Sequence, residues 1–279
     1  MTKRCLTAIA ALALLTAALP AHAIVLSYQP KVGSVQRQKV SMAGRMETSV
    51  PGLEEAVRME VTGETSYEQE ALSATGELTR VETRLLGGRL VLRQQTPGTP
   101  EGEQQRHSVD MPTGRIVADM DRRGRVVKVV EKDLKGEYAD QLMGAESANS
   151  LVQSPGLPEG DVAAGAVWSD NVTVPLGANA PEISLTLKSQ LVSLETFQNR
   201  KCAKIRTTFS YPEQQGQSEL ADSLGGALQA DMVWYYDYED SVFVYAEGTV
   251  GGTTSFEPGL IEGAITTNMI INVKVALVK

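Results

Sequence analysis

Along most of this chain apolar and polar residues alternate with period two, which suits a strand, whose successive side chains point to opposite faces. The clearest case is C-terminal. There Ile265, Thr267, Met269, Ile271, Val273, Val275 and Leu277 fall on one face, and Thr266, Asn268, Asn272 and Lys274 on the other. This predicts a long antiparallel strand with one face buried. Leu53, Val57, Met59 and Val61 alternate in the same way, as do Ile183, Leu185 and Leu187, and Ala203, Ile205, Thr207 and Phe209. Two hairpins are expected where turn residues separate β-favouring runs. One covers 116–130 and turns at Asp121, Arg122, Arg123 and Gly124; the other covers 232–247 and turns near Glu239, Asp240 and Ser241.

One segment, 133–152, reads as helix. Asp133 can cap its amides, Tyr138, Leu142, Ala145, Asn149 and Val152 recur at three- and four-residue spacing, and Pro155-Gly156 ends the run. In a weaker candidate, 218–228, Leu220, Leu224 and Leu228 line up at i, i+4 and i+8 around Gly225-Gly226. Gly33-Ser34-Val35 before Val40-Ser41-Met42 is matched by Gly165-Ala166-Val167 before Val172-Thr173-Val174, and Asp119-Met120-Asp121 by Asp237-Tyr238-Glu239. That order suggests two similar halves, 24–154 and 155–279. The expected fold is mainly β: one large curved antiparallel sheet, as a half-barrel or two facing sheets, with one packed helix.

The first 23 residues look like an export signal. Lys3 and Arg4 precede the apolar run from Leu6 to Leu19, and Ala21-His22-Ala23 is a small-x-small cleavage site. The apolar run is shorter than the ~20 residues that span a bilayer. The expectation is therefore a bacterial protein released into the periplasm or beyond, as a single β-rich domain over 24–279 with no transmembrane segment. Without the signal, 24 basic side chains face 34 acidic ones. A surface of that sign repels nucleic acid and anionic headgroups.

Catalytic chemistry finds little material. The mature chain has one histidine, His107, beside a Pro/Gly-rich loop with no nucleophile motif near it, and one cysteine, Cys202. Zinc needs more ligands than this. The run from Asp119 to Gly124 begins like a calcium loop, but Arg123 stands at position five and Val130 at position twelve, so it reads as a hairpin turn. No phosphate-cradling glycine motif is present, no carboxylate pair is marked, and no cofactor is expected. The aromatic group Trp234, Tyr235, Tyr236, Tyr238, Phe243 and Tyr245 spans the second hairpin. Trp234 and Tyr236 are candidates for a cavity wall, with Leu220, Leu224 and Leu228 as a lid; Trp168 reads as structural.

The stretch Leu157-Pro158-Glu159-Gly160, Gly165-Ala166-Val167-Trp168 and Val172-Thr173-Val174-Pro175 resembles a segment of uncharacterised exported bacterial β-rich proteins. The strand around Cys202-Ala203-Lys204-Ile205 and the hairpin at Gly124 are similar to theirs. That resemblance implies no catalytic residues. In architecture the chain is also similar to periplasmic half-barrel carriers of lipids and lipoproteins, which implies a curved sheet holding acyl chains. The leading expectation is a non-enzymatic envelope protein that binds an apolar ligand or an acylated client in a β-sheet cavity. A structural or interaction module for another envelope protein comes second, and a carboxylate-based hydrolase of envelope polymers third.

Overall fold

The computed structural model describes residues 23–98, 104–136, 155–175, 182–211, 224–256 and 263–278. Among them the first half contributes β1 (Ile24–Val25), β2 (Val35–Ser49), β3 (Val57–Thr75), β4 (Leu78–Gln95), β5 (Gln105–Met120) and β6 (Val126–Lys135). The second contributes β7 (Asp161–Val162), β8 (Val167–Pro175), β9 (Glu182–Phe197), β10 (Arg200–Tyr211), β11 (Leu224–Asp237), β12 (Val242–Phe256) and β13 (Ile265–Val278). Apart from the short β1–β7 pair, they form one antiparallel sheet in the order β6-β5-β4-β3-β2-β13-β12-β11-β10-β9-β8. Two meanders, β2 to β6 and β8 to β13, are joined where β13 pairs with β2, Val273 opposite Met42 and Ile271 opposite Gly44.

The sheet is curved but not closed. Its bending has a local cause at Gly87 and Gly114, which take φ of 82° and 126°. A Cβ on Gly114 would lie 2.1 Å from the Asp133 carbonyl oxygen, so only glycine permits this approach of β5 to β6. The β3–β4 register shifts nearby, between Thr65 and Tyr67. A bulge combined with glycine kinks turns a sheet corner.

One end of the curved sheet is plugged. Leu26 and Tyr28 from the segment after β1, and Leu157 from the segment before β7, pack against Val81, Met120, Leu191, Ile205, Tyr236 and Phe243 in one core. Backbone bonds seat the plug on the β5–β6 turn: Tyr28 N–H donates to Arg122 O at 2.7 Å and Leu157 N–H to Arg123 O at 2.9 Å. Tyr236 donates its hydroxyl to Ser27 O at 2.7 Å. At this end the two sheet edges are bridged, since Asp170 on β8 pairs with Arg123 at 3.5 Å and with Arg125, just before β6, at 3.6 Å.

The alternating segments are strands with the expected faces, and both hairpins turn where expected. Leu53 is the exception, exposed in the connection before β3. The expected helix is corrected where it can be seen. Its opening residues belong to β6, with Asp133 opposite Arg115 and Leu134 opposite Gly114. Ladder bonds to β5 outweigh a local cap there. Residues 137–152 of that segment lie outside the described residues, and no helix occurs among the described ones, so none is long and apolar enough to cross a membrane.

The second candidate helix is also corrected. Leu224 and Leu228 stand in β11, opposite Phe256 and Gly252. A spacing of four is even, so it places residues on one face of a strand as readily as of a helix.

Gly33 and Gly165 make matching bonds. Gly33 N–H donates to Ala71 O and Ala71 N–H to Ser34 O; Gly165 N–H donates to Leu191 O and Leu191 N–H to Ala166 O.

Candidate functional site: the concave face of the sheet

Pairing fixes which side chains share a face, because directly opposed residues point the same way. Starting from Val273 on β13, the concave row runs through Met42 and Gly63 in one direction and through Gly248 and Met232 in the other. The next rows bring Val40, Val61, Val250, Met269 and Ile271 to the same face. Away from the plug many of these side chains are only half-buried, among them Met42, Met46, Met59, Leu90, Leu92 and Val273. A depression of about 730 Å³ crosses β3, β2, β13 and β12, but beside Met42, Gly63, Gly248 and Val273 it is lined by the convex-side Glu64, Glu247, Asn272 and Lys274, so it is not a pocket of the concave face.

The two faces differ in charge. Outward positions carry cross-strand ion pairs: Arg37 with Glu68, Lys39 with Glu64 at 2.8 Å, Arg80 with Asp119 at 2.8 Å, and Arg206 with Asp231 at 2.5 Å. Such pairs contribute little stability each, but they mark the convex surface as a water-facing one. Membrane barrels have the opposite polarity, with the apolar face outward. On the concave side, the positions of β10 to β13 are uncharged from Ala203 onward, and Lys201 at the start of β10 pairs with Glu239 at 2.6 Å. Some polar groups of the concave face pair with one another. Ser189 and Thr207 share a hydrogen bond of 2.9 Å, and Tyr67 donates to Gln38 Oε1 at 2.7 Å. Asp170, on the concave side of β8, is the acid held by Arg123 and Arg125.

Trp234 stands on the concave side of β11, opposite Ile205 and Ala246. Its ring meets Phe243 edge-on, 5.6 Å between centroids. Among the described residues its buried indole Nε1 has no hydrogen-bond partner, and the Tyr211 hydroxyl at the end of β10 is in the same condition. Tyr236, two residues along, is fully buried in the core beneath the plug. Leu228 faces the same concave surface opposite Gly252, half-buried. Leu224 opens the same strand, and Leu220 lies outside the described residues. Alternation could have assigned Met42, Met59, Leu90 and Val273 to this surface from the sequence, but only the sheet order shows that they converge.

The other singled-out residues have local roles. Trp168 donates its indole N–H to Gly156 O at 2.7 Å, tying β8 to the plug. Asp121 Oδ1 accepts the backbone N–H groups of Arg123 and Arg125, each at 2.9 Å, so the calcium-like run is a side-chain-capped turn. His107 is exposed on β5, and no group of three or more metal-ligating side chains converges among the described residues. Cys202 is buried against Val242 and Val244, beside Phe197 and Tyr235. On the convex side Phe197 stacks on Tyr235 at 3.9 Å, and Lys204 and Lys274 lie over the Tyr235 and Tyr245 rings.

No known protein family matches the chain, and no curated protein does. Among solved structures it has a weak architectural similarity to lipovitellin, in a structure described by its lipid–protein interactions. The identity there is 9%, the TM-score 0.47, and the match covers 90% of this chain and 26% of that one. A second similar structure is DynF from the dynemicin biosynthesis pathway of Micromonospora chersina, with 10% identity, a TM-score of 0.21, and coverage of 91% of this chain and 85% of that one. The chain thus spans about a quarter of the lipovitellin chain, and likenesses at this level carry no function across.

Proposed function

We propose that this protein is a non-enzymatic carrier, exported to a bacterial envelope, that holds an apolar ligand or the acyl part of a client on its concave face. One observation carries the reading. A wide row of Met, Val, Ile and Leu side chains lies half-buried on the inside of a curved sheet whose outside is laced with ion pairs. Exposed apolar surface of this kind is costly in water, and a bound chain would remove it at about 25 cal/mol per Å² covered. Export rests on the basic, then apolar, N-terminal segment with its small-x-small site.

Native mass spectrometry of the protein purified from its own envelope without detergent, followed by organic extraction, tests the reading. A discrete bound mass that extracts as lipid is the expected result. A clean apo mass, together with no uptake of any apolar probe, would overturn it. The stacked Phe197 and Tyr235 on the convex face, with Lys204 beside them, favour a second reading as a docking module for an envelope protein. In that case a stoichiometric protein partner replaces the lipid mass.

A further inference from the structure

We infer that the cargo is a neutral amphiphile, an acyl chain ending in an ester or amide, whose carbonyl oxygen accepts the Trp234 indole N–H. This rests on the concave-face reading and adds the chemical class of the ligand. The indole nitrogen is a donor only, with no second way to satisfy itself. A buried donor left unpaired costs about 1–3 kcal/mol, and such groups are rare enough in folded proteins to call for an explanation. Among the described residues Trp234 Nε1 is in that state. The directly opposed residues, Ile205 and Ala246, offer no side-chain acceptor, and Phe243 presents only its ring. An acceptor brought by the ligand meets the unpaired donor.

The charge of that acceptor follows from its surroundings. From Ala203 onward on β10, and along β11 to β13, the concave positions are Ala, Ile, Thr, Phe, Tyr, Leu, Gly, Met, Trp and Val; the cation of the same parity, Lys201 at the start of β10, is held by Glu239 at 2.6 Å in the β11–β12 turn. The nearby lysines, Lys204 and Lys274, lie over aromatic rings on the opposite side of the sheet. The ionised group on the concave side of β8 is an acid, Asp170, whose two arginine partners sit at the plugged end. A carboxylate here would lose its hydration with no counter-charge, which costs far more than burying an ester carbonyl. The chain itself finds its complement in Met232, Val250, Ile271 and Val273, running away from Trp234 toward the open end.

The experiment compares decane, methyl decanoate and decanoate as displacers of a bound fluorescent apolar probe, in the wild-type protein and in Trp234→Phe. In the wild type, methyl decanoate is expected to bind more tightly than decanoate. The ester-to-decane affinity ratio is expected to fall about fivefold in Trp234→Phe, the size of one neutral hydrogen bond. The unmutated protein gives an independent readout. Of its two indole N–H resonances, the one missing from Trp234→Phe should move downfield with methyl decanoate and stay in place with decane.

An unchanged affinity ratio, an unmoved resonance, or tighter binding of decanoate than of its ester would overturn the assignment while leaving the carrier reading intact. Failure of all three chains to displace the probe or bind would overturn the carrier reading itself.

Discussion

At the scale of single residues, burial on either side of the sheet decides chemistry that composition leaves open. Cys202 has a hydrophobic surround of Val242, Val244 and Phe197, and it is fully buried. Burial disfavours the thiolate, and Asp237 nearby adds to this, pushing the thiol up to about 11. The thiolate is the reactive form, so this cysteine is an inert packing group. In the mature chain, whose one cysteine is Cys202, the folded protein at pH 8 should react with a soluble disulfide reagent more than about a hundredfold slower than the urea-unfolded chain. Comparable rates in the two states would mean that the β10–β12 surface opens readily. Asp121 and Asp237 show a parallel economy. Each carboxylate caps the backbone of a hairpin turn and also pairs with an arginine, Arg125 at 2.6 Å and Arg200 at 2.7 Å.

At the scale of elements, the glycines divide by what stands in front of them. Gly33 has φ of 79° with open space around its missing Cβ, whereas at Gly114 that Cβ would strike the Asp133 carbonyl. Gly33→Ala should therefore cost about 1–2 kcal/mol, the price of a left-handed conformation alone. Gly114→Ala should cost about 3 kcal/mol or more, because β5 must also move away from β6. Urea melts of the two variants check this, and equal costs would show that the β5–β6 approach is loose. The strands were legible in sequence because one face is apolar and the other charged, and period two survives both in β3 and in β13. The helix at 133–152 misled because capping and spacing are local signals, while Asp133 and Leu134 are claimed by β5 across a ladder. Leu224 and Leu228 misled because an even spacing suits both structures. The unpaired Trp234 donor was invisible in sequence, since an aromatic in a strand carries no sign of what its nitrogen meets.

At the scale of the whole molecule, three tyrosines from three separate parts of the chain meet around the plug. Tyr28 belongs to the N-terminal segment, Tyr67 to the first meander and Tyr236 to the second. Burial raises all three above the ordinary value near 10, and the phenolate of each would also repel another: Tyr67 bears on Tyr28, and Tyr28 on Tyr236. On the convex face a hydrogen bond to Glu247 separately holds Tyr245 up at about 12. Below about pH 9 both folded and unfolded chains keep these protons, so the stability is fully present. Above about 10 the unfolded chain releases them while the folded chain does not, and stability is lost as pH rises toward the folded values. Each buried tyrosine contributes a slope of about 1.4 kcal/mol per pH unit in that window, so the three together tilt the balance by about 4 kcal/mol per unit. The urea midpoint should stay level between pH 7 and 9 and then drop steeply, with tyrosinate absorbance from the buried residues rising only as the β-sheet signal disappears. Because the plug joins both meanders, that loss should be a single transition at every wavelength followed. Tyrosine ionisation completed near pH 10 with the sheet intact would show that the plug does not seal this end, and the enclosed concave site would lose its closed wall.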